Sequence, residues 1–379
     1  MNRRVWQECL AVRRAGLEVT VVCPVGKYDD AAYESRDGVE IHRYKLRPAR
    51  GGALGYLREY TVALWHITRL VRRLRSAGRF DVVHVCNPPD LLLLPVWHHK
   101  RAGTRMIYDQ HDLVPELYLS RFRPKRDPVY VLTRVLELLM FRIADVVIST
   151  NESYRTVALT RGRKRPEDIF IVRSAPDLSR FSQREPDPDL KNGRPYLLVY
   201  LGVMGPQDGV DHAIRALAHL HEGREDWHAI FVGDGDVRPQ MRALADTLGL
   251  DKAVRFTGRI PDEELMTILS TADVCLAPDP KNPLNDVSTM NKIVEYMAMS
   301  RPIVSYDLKE ARASAGEAAL YATPNDPLAF AACIDELLDE PERRRKLGAE
   351  GLERLREGLS WQHSERALLR AYERALGSA

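Results

Sequence analysis

The feature that most constrains the fold of this chain is a repeated alternation of short apolar strands with helices. In the first half, strand-like runs extend from LEVTVVCP (Leu17–Pro24) to DIFIVRSAPD (Asp168–Asp177), with helical segments between them. The alternation starts again at YLLVYLGVMG, from Tyr196 onward. Strands that alternate with helices in this way form parallel, doubly wound sheets. The sequence therefore predicts two Rossmann-like α/β units in tandem.

A polar, proline-rich stretch separates the two halves. It reads SQREPDPDLKNGRP (Ser182–Pro195) and has the composition of a linker. A chain of 379 residues is also too long for one typical core and suits two domains. We predict domains at residues 1–182 and 195–360, followed by a C-terminal helix at residues 361–379.

The start of the chain departs from this pattern. A doubly wound domain normally opens with a strand that lies centrally in its sheet. Here the sequence opens with a helix at residues 3–15, and either the first unit is wound differently or the sequence begins after the true first strand. We expect the second case, which would leave an unpaired gap between buried strands. The expected buried side of the helix carries Val5, Trp6, Cys9, Leu10 and Val12.

Composition narrows the class of protein. The 56 basic and 53 acidic residues give a net charge of only +3, which does not favour a nucleic-acid partner. The 5 cysteines lie far apart without metal-binding spacing, so we expect reduced core thiols in a cytoplasmic protein. No apolar run approaches the roughly 20 residues of a membrane span. The charged beginning, MNRRVWQECL, does not have the pattern of a signal peptide.

Several predicted strands of the second half end in residues suited to ligand binding. In open α/β sheets, ligands bind outside the carboxyl ends of the strands. Gly202 and Gly205 follow the strand that starts at Tyr196, and small residues there let the backbone approach a phosphate. Asp234 lies in the turn VGDG, and Arg259, which follows VRFTG, could flank a base.

A histidine ends one strand of the first half. The strand RMIYDQHD places His111 between Asp109 and Asp112. A lone histidine is more often structural than catalytic, but two neighbouring acids at a strand's carboxyl end favour a functional role.

The segment LNDVSTMNKIVEYMAMSRPIV (Leu284–Val304) reads as a loop, a short helix and a buried strand. Residues three and four apart on a helix share a face, so Ser288, Asn291, Lys292 and Glu295 form one polar stripe. Lys292 could neutralise phosphate charge beside the N–H groups of the helix N-terminus. Glu295 could accept hydrogen bonds from two ribose hydroxyls. The alternative is an ordinary amphipathic helix with a solvated face.

Motifs of other enzyme classes are missing from the sequence. No GxSxG, HExxH, Walker or complete GxGxxG motif occurs, which disfavours a nicotinamide dehydrogenase. No DxD-type acidic cluster indicates a metal. We therefore predict neither a metal nor a cofactor.

Eight segments together carry a resemblance to a known family. They are RRVWQECLAVRRAGLEVTVVCP, YDQHDLVPEL, YLGVMGPQDGVD, VGDG, VRFTGRIP, ADVCLAPD, STMNKIVEYMA and SWQHSERALLRAYERAL. The chain resembles the family 4 retaining glycosyltransferases of the GT-B fold, in which two Rossmann-like domains face a cleft. The resemblance covers essentially the whole chain except its beginning. It is greatest to bacterial enzymes that assemble surface polysaccharides, including transferases of N-acetylated deoxy sugars.

The resemblance implies roles for matching residues. Glu295 would hold the ribose of the donor, and Gly202 and Gly205 would line its diphosphate. Arg259 and Ile260 would contact the nucleobase. In the first domain, the same likeness implies that His111 reaches the donor sugar and that the helix from about Trp361 packs back on that domain.

The chain departs from the family pattern at its diphosphate and sugar contacts. The first of the family's two glutamates falls at Val287, which cannot hydrogen-bond a sugar. The usual arginine and lysine of the phosphate turn fall at Val203 and Asp208, and an aspartate would repel a diphosphate. We expect Lys292 to supply the missing positive charge. Asp286, Ser288 or backbone N–H groups of the loop could substitute for the first glutamate. Thr289, Met290 and Asn291 of the same segment are further expected substrate contacts.

The implied reaction moves a hexosyl or N-acetyl-deoxyhexosaminyl group from a UDP- or GDP-linked donor to a glycan or polyprenyl-linked acceptor, with retention and without a metal. Stabilisation of the leaving diphosphate by N–H groups and Lys292 would be its main catalytic contribution. The acceptor is expected on the first domain. Two basic, apolar segments there, Tyr56–Arg75 and Arg121–Arg142, could make peripheral contact with the inner face of the membrane. Alternatively, both are core-packing helices with solvated charges.

Three other functions remain open at this point. A nucleotide-sugar epimerase of similar two-domain architecture would act on the donor alone, so product analysis without an acceptor distinguishes it. A two-lobed, non-catalytic sugar-binding protein would be secreted. The third is an inactive, N-terminally truncated glycosyltransferase.

Overall fold

The computed structural model describes residues 3–26, 31–46, 53–121, 125–176, 178 and 181–377. The chain divides into two compact units. The first comprises Met1–Leu117, Lys125–Arg173 and Gln362–Ala379, and the second comprises Tyr118–Pro124 and Ser174–Trp361. Residues 122–124 of the second basic segment and Asp177, the predicted end of a strand, lie outside the described residues.

The strands of the first unit form two sheets. One has the order β1-β3-β2, with β1 and β3 parallel and β2 antiparallel to β3. The other is parallel, with the order β4-β5-β6-β7. The strands are β1 Val19–Pro24, β2 Tyr33–Arg36, β3 Val39–Tyr44, β4 Val82–Cys86, β5 Arg105–Gln110, β6 Val146–Ser149 and β7 Ile169–Ile171; the helices are α1 Arg3–Arg14, α2 Ala53–Ala77, α3 Leu93–Arg101, α4 Val114–Arg121, α5 Pro128–Ile143 and α6 Glu152–Thr160.

The second unit contains one parallel sheet with the order β10-β9-β8-β11-β12-β13. Numbered from its own first strand, this is the order 3-2-1-4-5-6 of a Rossmann sheet, which reverses between β8 and β11. The strands are β8 Tyr196–Leu201, β9 Trp227–Val232, β10 Val254–Gly258, β11 Val274–Ala277, β12 Ile303–Tyr306 and β13 Ala319–Ala322; the helices are α7 Val210–Gly223, α8 Arg238–Thr247, α9 Asp262–Thr271, α10 Asn291–Ala298, α11 Lys309–Ala315, α12 Pro327–Asp339 and α13 Pro341–Arg354. The last helix of the chain is α14 Trp361–Leu376.

The predicted class, two α/β units with parallel sheets, is confirmed. Strand β2 was not predicted because YESR is short, polar and at a sheet edge. The turn that joins it to β3 has positive φ at Asp37 and Gly38, a combination that favours a tight hairpin. Strand β7 is shorter than predicted, because a 3-10 turn at Pro166–Asp168 precedes it and residues 172–176 have no regular structure.

Helix α1 forms where it was predicted, but the prediction of its buried face was wrong. Arg4 and Glu8 are buried with Ala11 and Val12, whereas Val5 and Trp6 are only half-buried. The two charged residues are buried because they pair with each other and with the sheet, as described below. Within the described residues, none of the helices has the length and apolar composition needed to cross a bilayer.

From Gln362 onward, helix α14 contributes to the first unit. Its Tyr372 hydroxyl lies 3.0 Å from His84 Nδ1 on β4. Its Ser364 hydroxyl accepts from the backbone N–H of Arg173 at 3.1 Å and donates to the carbonyl of the same residue at 3.0 Å.

Candidate active site

The glycine turns at the carboxyl ends of β8, β9 and β10 form one hydrogen-bonded edge. The backbone N–H of Gly202 donates to Val232 at 3.0 Å, and that of Met204 donates to Asp234 at 3.1 Å. The N–H of Gly233 donates to Gly258 at 2.9 Å. Three turns that lie far apart in sequence therefore meet on one side of the point where the strand order reverses.

Two glycines of this edge are required by close backbone packing. Gly233 has φ +131°, and a Cβ there would lie 1.8 Å from the carbonyl oxygen of Gly202. Gly209 has φ +67°, and its Cβ would lie 2.1 Å from the carbonyl oxygen of Pro278, just after β11. Neither position tolerates another residue without backbone movement. The turn after β8 thus packs directly against the chain that leaves β11.

Lys292 does not lie on an open polar stripe, so the predicted geometry of the stripe is wrong. Its side chain is only 8% exposed, and its ammonium donates to both carboxylate oxygens of Asp279, at 2.6 and 2.8 Å. It also lies 5.0 Å from the ring centroid of Tyr200. A Cβ at Gly202 would lie 3.2 Å from Lys292 Cε, so the aliphatic part of the lysine side chain packs against the glycine turn.

The electrostatics beneath the turn involve one lysine and two aspartates. Burial acts to lower the pKa of Lys292, but the attractions of Asp279, Tyr200 and Asp208 together outweigh it and raise that pKa, so the ammonium stays charged. Asp208 accepts the backbone N–H of Gly205 at 2.8 Å. Burial raises the pKa of the Asp208 carboxyl to about 6, in spite of the opposing attraction of Lys292. Below about pH 6 the protonated Asp208 carboxyl would not repel a diphosphate, whereas above that pH the repulsion predicted from the sequence remains.

Asn285 links the glycine turn to the loop before α10, and sequence reasoning missed it. This buried side chain donates to the backbone carbonyls of Gln207 and Pro280, at 2.8 and 2.9 Å. A single asparagine in a polar loop has no spacing signal, so only the fold reveals the link.

Two predicted substrate contacts in the same loop have structural partners. Asp286 accepts the backbone N–H of Lys309 at 3.0 Å, at the start of α11. The Ser288 hydroxyl donates to the carbonyl of Leu284 at 2.8 Å. These bonds hold the loop in shape, so its backbone is a better candidate than these side chains for contact with a ligand. Thr289 and Met290 are half-buried between this loop and α10.

Helix α10 is fixed at the reversal point by Tyr296. The buried phenol accepts the backbone N–H of Leu201 at 2.8 Å and donates to the carbonyl of Leu276 at 3.1 Å. These two residues belong to β8 and β11, the strands on either side of the reversal. Glu295, the adjacent residue, is half-buried, and exposed Asn291 lies one turn before it. Tyr296 and Lys292 thus hold α10 beside the glycine turn, and Glu295 lies between them in sequence on the same helix.

The remaining predicted contacts lie after β9 and β10. Asp234 accepts the backbone N–H of Gly235 at 3.0 Å and pairs with Arg238 at 3.1 Å. Arg259 is exposed, and Ile260 packs against the edge of the core. Both directly follow Gly258, which belongs to the shared hydrogen-bonded edge.

In the first unit, the carboxylate of Asp109 organises the predicted histidine. Its Oδ2 lies 2.5 Å from His111 Nε2 and 3.4 Å from His84 Nε2, and its Oδ1 accepts from Arg4 at 2.7 Å. Burial acts to raise the pKa of Asp109, but the charges of Arg4 and His111 outweigh it and hold that pKa well below its usual range. Asp109 is therefore a fixed anion that orients His111, while the histidine side chain remains partly exposed.

Asn87 fixes the backbone of the same segment and was also missed from the sequence. Its Oδ1 accepts the backbone N–H groups of His111 and Asp112, at 2.8 and 3.1 Å. Its Nδ2 donates to Asp90 and to the Tyr108 hydroxyl, each at 3.0 Å. The imidazole and its backbone are thus held by two different side chains.

Asp109 and three neighbouring side chains are of the types that can bind a metal ion. The candidate ligand atoms of Glu8, His84, Cys86 and Asp109 lie within 4.8 Å of one another among the described residues. Arg4, however, donates to both carboxylates, at 2.8 Å to Glu8 and 2.7 Å to Asp109. The guanidinium already supplies the positive charge, and a metal ion would have to displace it. The arrangement therefore fits a buried ion network better than a metal site.

Two domain models match the chain. The model described as "Glycosyl transferase 4-like domain" matches residues 1–174, and the model described as "Glycosyl transferases group 1" matches residues 195–340. A curated relative, 2-deoxystreptamine glucosyltransferase from Streptomyces kanamyceticus, is 28% identical over 190 residues, which are 48% of this chain and 46% of the relative. The match thus spans about half the length of that relative.

Solved structures extend the likeness to the whole fold. Sucrose-phosphate synthase from Thermosynechococcus elongatus has a TM-score of 0.81 at 19% identity, over 99% of this chain and 93% of that chain. HepE from Anabaena, solved with UDP and glucose, has a TM-score of 0.71 at 15% identity, over 98% and 96%. At such identities the likeness shows the fold alone, which is GT-B. The two halves of the chain thus match two glycosyltransferase domain models, and the fold of the whole chain is the GT-B fold.

Proposed function

We propose that this protein transfers a sugar from a nucleotide-diphosphate donor to a glycan or polyprenyl-linked acceptor. The observation that carries the proposal is the arrangement at the strand reversal of the second unit. There the start of α10 lies against the glycine turn after β8, because Tyr296 accepts the backbone N–H of Leu201 and a Cβ at Gly202 would contact Lys292, and the sheet order 3-2-1-4-5-6 reverses at this point. Such a reversal point is where doubly wound sheets bind nucleotides. The proposed donor is UDP-linked first and GDP-linked second, because the neighbour HepE was solved with UDP.

In the proposed donor complex, backbone groups carry most of the diphosphate binding. The turn at Gly202–Gly205 and the N-terminus of α10 offer N–H groups to an anion. The Lys292 ammonium is buried and paired with Asp279 beneath the turn. We therefore propose that it holds the turn in shape and adds positive potential to the site, rather than contacting phosphate directly. Glu295 accepts the ribose hydroxyls, Arg259 and Ile260 flank the base, and Asp234 fixes the turn after β9.

The proposed chemistry is retaining and metal-independent. The aligned N–H groups would stabilise the charge that develops on the leaving diphosphate. His111, oriented by Asp109, would contact the donor sugar. A hexosyl or N-acetyl-deoxyhexosaminyl donor and a role in surface-polysaccharide synthesis follow from the resemblance in sequence. All 5 cysteines are free thiols, which fits a reaction in the cytoplasm.

A thermal-shift panel of nucleotide sugars is the first test, because a donor that binds only the folded state raises the melting temperature. The best donor is then incubated with and without candidate acceptors, and the products are analysed by mass spectrometry and NMR. Transfer that requires an acceptor and retains the anomeric configuration supports the proposal. An epimerised nucleotide sugar formed from the donor alone would instead support the epimerase. If no nucleotide sugar stabilised the protein, the chain would not be a donor-binding transferase in this form.

A further inference from the structure

Large apolar side chains are exposed mainly on three helices of the first unit. Among the described residues, 14 large hydrophobic side chains are exposed, and 9 of them lie on α2, α3 and α5. The other five are scattered over both units. Single exposed apolar residues are ordinary, but a concentration on neighbouring elements marks an interaction surface. The nine are Val62, Trp65, Leu94, Trp97, Val129, Val131, Leu132, Val135 and Leu139.

Helix α5 carries exposed apolar side chains in addition to those that it buries in the core. Val131, Leu132 and Val135 are 55, 54 and 46% exposed and recur at helical spacing on the outer face. Glu137, in contrast, is buried beside Met140. The helix does pack in the core of the first unit, through Met140, Phe141 and Ile143. The expectation of a core-packing helix therefore holds for that face, and the exposed valines and leucine form a second apolar face.

The outer faces of α2 and α3 combine tryptophan with arginine. Trp65 on α2 is 57% exposed, and the Arg69 guanidinium lies 5.6 Å from its ring centroid. Trp97 on α3 is 38% exposed, and Arg101 lies 4.9 Å from its ring centroid. Tryptophan with adjacent basic side chains is typical of surfaces that enter the headgroup region of a bilayer.

The three helices form one surface whose charge has a single sign. Helix α3 packs against both α2 and α5, so their outer faces adjoin. Within the described side chains, the exposed charged residues of these helices are all arginines. Glu137 is buried, and Glu59 is only partly exposed. The arginines are Arg58, Arg69, Arg72, Arg73, Arg75, Arg101 and Arg142.

We propose that the outer faces of α2, α3 and α5, termed here the arginine–tryptophan face, bind the surface of an anionic phospholipid bilayer. Its aliphatic and tryptophan side chains would enter the headgroup boundary, and its arginines would pair with lipid phosphates. Charge complementarity selects this occupant, because an apolar protein partner would not require seven exposed arginines with no exposed acidic side chain among the described residues of these helices. The inference gives a partner to the proposed function, since a polyprenyl-linked acceptor lies in such a bilayer. The exposed side chains of these three helices support membrane binding independently of the proposed transferase activity.

Co-sedimentation of the full chain with vesicles tests the inference. Vesicles of phosphatidylcholine are compared with vesicles containing roughly one third phosphatidylglycerol, at low and high salt. We expect binding to the anionic vesicles only, weakened by salt. The double variant Trp65→Ser/Leu132→Ser should abolish it. The matched control, Leu248→Ser/Leu328→Ser, removes two exposed leucines of the second unit and should bind like the native chain.

Charge is tested separately. Replacement of Arg72 and Arg73 by glutamine should weaken binding by about fivefold per arginine. The control Arg242→Gln, on exposed α8, should leave binding unchanged. Circular dichroism and thermal melting of every variant show whether it is folded.

The outcomes separate this inference from the proposed function. Failure of the native chain to bind anionic vesicles overturns the inference, whether or not transfer to a soluble acceptor is observed. A dimer in light scattering that Trp65→Ser/Leu132→Ser dissociates, without vesicle binding, would show that a second copy covers the face. Vesicle binding without any donor turnover would leave the inference standing and contradict the proposed function.

Discussion

At the scale of single residues, the orientation of His111 depends on the carboxylate of Asp109. Asp109→Asn should lower turnover by about tenfold to hundredfold, because a misplaced catalytic group loses most of its effect. Donor affinity should change little, since the predicted contacts with the nucleotide part of the donor lie in the second unit. Steady-state kinetics and a donor titration of the same preparation measure both quantities.

The control for this variant is Glu8→Gln. Glu8 is the other carboxylate that accepts from Arg4, at 2.8 Å, and no contact with His111 is recorded for it among the described residues. Removal of one partner from a buried pair costs about 3–5 kcal/mol, so both variants should lose stability. Among the folded fractions of the two variants, only Asp109→Asn should have a lower turnover than the native chain. Equal turnover in the two variants would contradict a positioning role for Asp109.

Asp208 should make donor affinity depend on pH. Burial raises its pKa to about 6 from an ordinary value of 3.8, so the group is largely neutral below about pH 6 and anionic above it. The neutral form is therefore favoured by folding, and the stability that it contributes is lost as the pH rises through about 6. The affinity for a nucleotide sugar should fall over the same range, because the new charge repels the diphosphate.

Calorimetric titration of a nucleotide sugar between about pH 5.5 and pH 8 measures this dependence. The diphosphate of a nucleotide sugar is a diester and stays ionised throughout, so the protein supplies the change. Asp208→Asn should bind with higher affinity at the upper pH and show a flatter profile. A native profile without any fall above pH 6 would show that the carboxyl does not face the diphosphate.

At the scale of the element, the position of α10 depends on one phenol and one buried ion pair. Tyr296→Phe removes two hydrogen bonds and leaves the Leu201 N–H and the Leu276 carbonyl without their partner. We expect a loss of about 1–3 kcal/mol in the free energy of unfolding, measured by urea denaturation. Donor affinity should fall as well, because the helix carries Glu295. Native stability would mean that the core alone fixes the helix.

The buried Lys292–Asp279 ion pair predicts that a double variant is more stable than the single variant. Lys292→Met should destabilise the second unit by about 3–5 kcal/mol, because it leaves the Asp279 carboxylate buried and unpaired. The double variant Lys292→Met/Asp279→Leu should recover most of that loss, since an apolar pair avoids the desolvation of two charges. If donor affinity recovers with stability, Lys292 acts by shaping the turn. If it stays low, the ammonium acts on the diphosphate directly.

The elements near the site could be predicted from the sequence because their signals are local. The strand patterns, the glycine turns after β8 and β9 and the start of α10 each follow from a few neighbouring residues. The burial of Lys292 could not be predicted, since its partner Asp279 lies on another segment, just after β11. Asn87 and Asn285 were missed for the same reason: each is a single side chain whose role depends on backbone brought near by folding.

At the scale of the whole molecule, each unit contributes one part of the proposed enzyme. The second unit carries the reversal point and the predicted donor contacts. The first unit carries His111 with its fixed anion and, on other helices, the arginine–tryptophan face. The division predicts that donor binding and vesicle binding can be abolished separately by substitutions in different units.

The central claim is that the reversal point of the second unit binds a nucleotide sugar through Glu295. The most direct test is calorimetric titration of the best donor from the thermal-shift panel into the native chain, Glu295→Gln and Glu353→Gln. Loss of a charged acceptor for two hydroxyls should weaken donor binding by about tenfold to hundredfold in Glu295→Gln. Glu353→Gln, an exposed position on α13, should bind like the native chain. Equal donor affinity in all three proteins would contradict the claim.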